Sequence, residues 1–78
     1  MEFIYVLVSN GAELEDQYIF LDKDDAIHKL TAIYQSMPYD KFQREYFHLE
    51  RFHRQVTGEY KIDYTRYTLD ENGLECVN

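Results

Sequence analysis

The sequence predicts an α+β fold: a four-stranded, mainly antiparallel sheet, in the chain order β-β-α-β-β, with one helix packed on one face. Three observations predict it. Phe3 to Val8 (FIYVLV) is apolar throughout and rich in β-branched and aromatic residues, which is strand chemistry. Ala26, Ile27, Leu30, Ile33, Tyr34 and Met37 recur at helical spacing. Tyr60 to Leu69 (YKIDYTRYTL) again reads as a strand.

The first strand is apolar on both faces, with Phe3, Tyr5 and Leu7 on one and Ile4, Val6 and Val8 on the other. Such a strand belongs in the interior of a sheet with cover on both sides. The second strand is Gln17 to Leu21 (QYIFL). A two-residue turn at Asn10-Gly11 would set Val8 opposite Glu13 and Val6 opposite Glu15, placing carboxylates among apolar side chains. A loop over 9–16 instead pairs Val6 with Ile19, Tyr5 with Phe20, Ile4 with Leu21 and Leu7 with Tyr18, so the longer loop is preferred. Glu13, Glu15 and Asp16 then project into solvent.

The helix is expected over residues 23–36. Asp22 is placed to cap it, with Asp25 three positions on as a short capping box, and Asp24 and Asp25 suit the positive end of its dipole. Pro38 stops it. Residues 39–55 admit two readings. Phe42, Tyr46, Leu49 and His53 would line a helix face, whereas a strand over 46–54 makes a hairpin through Thr57-Gly58-Glu59 with the last strand. The strand is preferred because one register sets Phe52 opposite Ile62, Arg51 opposite Asp63 and Phe47 opposite Tyr67. Residues 39–45 are then a turn or a short helical segment, Asp70 to Gly73 a turn, and 74–78 a C-terminal tail. The 78 residues read as one domain.

Composition excludes several function classes. The chain carries a single cysteine, Cys76, so a disulfide framework is ruled out and the core depends on apolar packing. The net charge is −7, and residues 1–26 hold seven acids against one base, opposing general phosphate-backbone binding. Neither a secretory signal nor a membrane span is visible, and an intracellular protein is expected. Asp16, Asp22, Asp24 and Asp25 lack calcium-loop spacing. His28, His48 and His53 match no zinc pattern, with His48 and His53 on opposite faces of one strand. Glycines stand only at 11, 58 and 73, so no phosphate loop is present. Ser9 and Ser36 lie in no nucleophile context. Glu50 could neighbour His48 or Arg66, and cross-strand ion pairing is the reading preferred over acid–base work. No enzyme, metal or cofactor is expected.

Eight tyrosines and five phenylalanines suit half-buried surfaces and interfaces. One helix covers only one face of a four-stranded sheet. The other would carry Tyr5, Leu7, Tyr18 and Phe20, or their aliphatic neighbours, together with a set such as Tyr60, Ile62 and Tyr64. An uncovered apolar patch marks a partner surface, unless residues 39–45 and the tail fold over it. The expected function is therefore a non-enzymatic interaction module that docks on a protein partner or self-associates through Tyr5, Leu7, Tyr18, Phe20, Tyr60 and Tyr64. Two alternatives remain. One is an inhibitor that mimics nucleic acid with Glu13, Glu15, Asp16 and Asp24. The other is a small RNA- or ligand-binding domain, with Tyr64 and Tyr67 stacking bases beside Arg51, Arg54 and Arg66.

Ile4 to Ser9, Glu13 to Asp16, Ile19 to Leu21 and Asp22 to Ile27 together resemble a group of small uncharacterised proteins encoded by large DNA viruses. That group tends to end in a tyrosine-rich strand closed by Asn-Gly, similar to Tyr60 to Tyr67 and Asn72-Gly73. The sequence departs from the group at Leu14, where tryptophan is frequent, and at residues 39–45, which look inserted. The resemblance implies a viral origin, location in the host cytoplasm or virion, and the β-β-α-β-β order. It implies no activity.

Overall fold

The computed structural model describes residues 2–9 and 18–77. Five strands, β1 (Phe3–Val8), β2 (Ile19–Phe20), β3 (His48–Arg54), β4 (Tyr60–Asp70) and β5 (Gly73–Val77), form one antiparallel sheet in the order β2-β1-β3-β4-β5. Two helices, α1 (Lys23–Gln35) and α2 (Tyr39–Glu45), lie between β2 and β3 in the chain.

The topology fixes where the helices go. β2 and β3 flank β1, and both run antiparallel to it. The chain must therefore cross over β1, and α1 and α2 make that crossing on one face. Apolar packing follows: Ala26 and Leu30 of α1 and Phe42 of α2 are buried against Tyr5, Leu7, Leu49 and Tyr67 of the sheet. Ile27, Ile33, Tyr34 and Met37 pack around that centre, as the helical spacing predicts.

Local chemistry sets the helix ends. The Asp22 carboxylate accepts the Asp24 and Asp25 amides at 2.8 and 3.2 Å, satisfying two of the amides that a helix N-terminus leaves unpaired. Ser36 closes α1, which ends one residue before the expected boundary, and its hydroxyl donates to the Ile33 carbonyl. Pro38 then caps the start of α2. Of the turn and the short helical segment expected for residues 39–45, the helical one is present, so two helices and not one pack on the sheet. Tyr34, Tyr39, Phe42 and Phe47 explain it: their rings pack edge-to-face or stacked, at centroid distances of 5.1–5.9 Å, and dock α2 on α1 and the sheet.

Three further expectations are corrected. The C-terminal tail is largely β5, whose Leu74 and Cys76 pair with Leu69 and Tyr67, so the sheet has five strands and not four. β2 is only two residues long, so Val6–Ile19 and Tyr5–Phe20 pair as expected, while Ile4–Leu21 and Leu7–Tyr18 are not in the ladder. On β3 and β4, Phe52 does face Ile62, but Tyr67 faces Leu49 and not Phe47. Two extra residues on β4 shift the register between these points. Tyr64 takes a left-handed conformation there (φ 64°), and the Asp63 carboxylate accepts the Thr65 amide at 3.1 Å, closing the irregularity. The proposed loop over 9–16 falls, except for Ser9, outside the described residues.

Candidate functional site

Strand alternation divides the sheet into two faces. Phe3, Tyr5 and Leu7 point at the helices. Register then assigns Ile4, Val6 and Val8 to the opposite face, with Ile19 beside Val6 and Phe52 beside Ile4. Ile62 joins them across from Phe52. Ile19 is 41% exposed and Ile4, Phe52 and Ile62 are half-buried, while Val6 on the same face is buried. Both helices pack on the other side of the sheet.

Polar clusters border this apolar strip at both ends. At one end, Arg54 Nη1 lies 3.2 Å from the Glu2 carboxylate, which also accepts the Tyr60 hydroxyl at 3.3 Å. At the other, Arg66 Nη2 donates to Glu50 at 3.2 Å and Nη1 donates to the Tyr46 hydroxyl at 2.5 Å. His48 is buried beneath Tyr46, with ring centroids 4.4 Å apart. Its Nδ1 is 2.8 Å from the Tyr46 carbonyl and its Nε2 is 3.4 Å from Glu50. Glu50 therefore neighbours both His48 and Arg66. Histidine, carboxylate, guanidinium and phenol bind one another, and the cluster serves as a charge-compensated border. Sequence reading weighed the Glu50–Arg66 pair but missed Tyr46, because α2 ends there in a left-handed residue (φ 53°) that turns the ring onto this face.

The helix-side face has its own polar contact. Arg51 donates from Nε to Asp63 at 2.6 Å and from Nη2 to Thr65 at 3.2 Å, while its guanidinium lies 4.2 Å from the centroid of Phe3. Burial alone would raise the Asp63 carboxyl, but the Thr65 amide and the Arg51 guanidinium outweigh it and hold the group below the ordinary carboxylate range. Burial lowers Arg51 in turn, and Asp63 more than restores it.

The six expected aromatic-face residues do not share one surface. Tyr5 and Leu7 are 7% and 3% exposed and lie in the core under the helices. Tyr18 and Phe20 pack against that core. Tyr60 and Tyr64 are exposed, at 40% and 77%. The crossover selects the odd-numbered side of β1 for cover, so the uncovered side carries the aliphatic neighbours. Of the acidic set, Asp24 is exposed in the first turn of α1, while Glu13, Glu15 and Asp16 lie outside the described residues. The base-stacking set is dispersed too. Tyr67 is buried, and Arg51, Arg54 and Arg66 each pair with a carboxylate.

No family model matches the chain, and neither the curated proteins nor the solved structures offer a match. Among the described residues no group of three or more histidine, cysteine, aspartate or glutamate side chains could hold a metal ion, and no helix is long and apolar enough to cross a membrane.

Proposed function

We propose that this chain is a non-enzymatic interaction module that docks through the sheet face opposite its helices, and that the occupant is a second copy of itself. One observation carries the reading: both helices sit on one face, while Ile4, Ile19, Phe52 and Ile62 form an apolar strip around the buried Val6 on the other. An interior strand that is apolar on both sides suits cover on both sides, and among the described residues helices cover one.

Charge favours a second copy. The chain carries −7 overall, yet the strip's borders pair Glu50 with Arg66 and Glu2 with Arg54. A self-complementary interface needs such a locally neutral patch, because a two-fold axis sets the same surface against itself. An apolar centre within a polar border is also the usual anatomy of an interface. Two copies packed face to face would place the sheets about 10 Å apart. The resemblance over residues 4–27 to small proteins of large DNA viruses fits a minor component of a virion or other assembly.

Light scattering on size-exclusion eluates across a concentration series tests the reading. The expected result is a dimer that dissociates on dilution and is lost in Phe52→Glu and Ile19→Lys, with circular dichroism unchanged. A chain that stays monomeric at every concentration overturns it, as does a dimer indifferent to both substitutions.

A further inference from the structure

A separate cavity of about 180 Å³ opens where α2 meets the far end of β4. Its walls include Tyr39, Phe42, Tyr46 and Phe47, with Leu69 and Asp70 contributed by the strand. Size restricts what it holds. Sites for drug-sized ligands run to about 300–1,000 Å³, whereas cavities of about 150 Å³ take up benzene. A group of side-chain size fits, and a nucleotide does not.

The lining chemistry narrows the class. Four aromatic rings and one carboxylate line the space together with Gln43, Thr68 and Leu69, and among the described residues no lysine or arginine lines it. The chain sets its own cations on rings, Lys23 over Tyr67 and Arg51 over Phe3 at 5.2 and 4.2 Å, and at the cavity itself Arg66 lies over Tyr46 at 5.6 Å, which leaves Tyr39, Phe42 and Phe47 to a guest. Negative charge gathers at the cavity as well. Burial first, and then Asp70 and Glu71, push the Tyr39 phenol above its ordinary value. One Asp70 oxygen accepts the Asn72 amide at 2.8 Å, which fixes the carboxylate at the end of the strand.

We propose that this cavity binds a quaternary ammonium group, of the kind carried by choline or by a trimethylated lysine side chain. Aromatic faces attract cations, and such cages are a known means of recognising alkylated ammonium. A simple lysine ammonium suits the site less well. It is strongly hydrated and brings three donors, and exchanging that water for ring faces has a cost that the acceptors of Asp70, Gln43 and Thr68 offset only in part. An alkylated ammonium has no such donors. Tyr46 belongs both to this cavity and to the border of the apolar strip, but Tyr39 and Asp70 touch neither Ile19 nor Phe52, so substitutions at those positions let this binding and the docking of the sheet face fail separately.

Titration of the ¹⁵N-labelled chain with choline, and with its neutral isostere in which carbon replaces the quaternary nitrogen, tests the proposal. Choline is expected to shift the Gln43, Thr68, Leu69 and Asp70 amides saturably, with the isostere at least about fivefold weaker. Tyr39→Leu and Asp70→Asn should each weaken choline and leave the isostere unchanged; in the second variant the side-chain amide oxygen can still accept the Asn72 amide. A trimethyl-lysine peptide and choline compared side by side distinguish the two sources of the group. Equal binding of choline and isostere would reduce the site to an apolar hole, and the absence of saturable shifts with both choline and the peptide would remove it.

Discussion

Arg51 on β3 reaches Asp63 on β4 at 2.6 Å, and the contact spans the place where these strands fall out of step. Glu50 faces Arg66 and Phe52 faces Ile62, so four residues of β4 advance while β3 advances two. The surplus is taken up at Asp63, Tyr64 and Thr65. Arg51 binds the first and last of these, leaving Tyr64 turned outward. The guanidinium also stacks on Phe3, tying β1 into the same contact.

Replacing Arg51 by Met keeps the apolar stem but removes the donors. Asp63 then remains partly buried with the Thr65 amide as a remaining donor, and the loss of a charged hydrogen bond is expected to cost about 1–3 kcal/mol. Urea unfolding measures it. An unchanged midpoint would show that the Asp63–Thr65 contact alone holds the irregularity.

Acid should act through the same carboxylate. The folded Asp63 group sits below its unfolded value, which is about 3.9 for aspartate. Its contribution is therefore fully present well above that value and is lost as pH falls through the folded one. Thermal melts taken from neutral pH down into this range should show a smaller acid-induced loss in Asp63→Asn than in the parent chain. Parallel losses would contradict the assignment.

Tyr64 adopts a left-handed backbone (φ 64°) with its ring 77% exposed. That conformation costs a non-glycine residue roughly 1–2 kcal/mol, and asparagine tolerates it better. Tyr64→Asn is expected to raise stability by about 0.5–1 kcal/mol in urea unfolding. A loss would show that the exposed ring stabilises the folded chain.

Leu30 is fully buried at the centre of the helix–sheet contact. Truncation to Ala should cost about 2–5 kcal/mol, a large share of the stability of so short a chain. Thermal denaturation of Leu30→Ala beside the exposed Lys29→Ala gives the comparison. Equal melting temperatures would contradict the placement of α1.

Much of this architecture was legible in the sequence, for identifiable reasons. Asp22 and the spacing from Ala26 to Tyr34 report a capped amphipathic helix by local chemistry alone. The Val6–Ile19 and Tyr5–Phe20 pairs followed from refusing to set carboxylates opposite valines. Long-range geometry was harder to read. Nothing local distinguishes Tyr64 from any other strand tyrosine, so the extra residues on β4 and the shift of Tyr67 to Leu49 were hidden. The choice of covered face was hidden as well. β1 is apolar on both sides, and only the crossover of α1 and α2 decides that Tyr5 goes inward while Ile4 faces out. β5 was missed because Gly73 to Val77 is short and mixed in polarity, and its pairing depends on the hairpin turn at Glu71-Asn72.

Isotope-filtered NMR on a mixture of labelled and unlabelled copies tests the proposed docking face most directly. Cross-peaks between the Phe52 ring of one copy and the Ile4, Ile19 or Ile62 methyl groups of another are the predicted result. Intermolecular cross-peaks confined to other surfaces, or none from a concentrated sample, would contradict it.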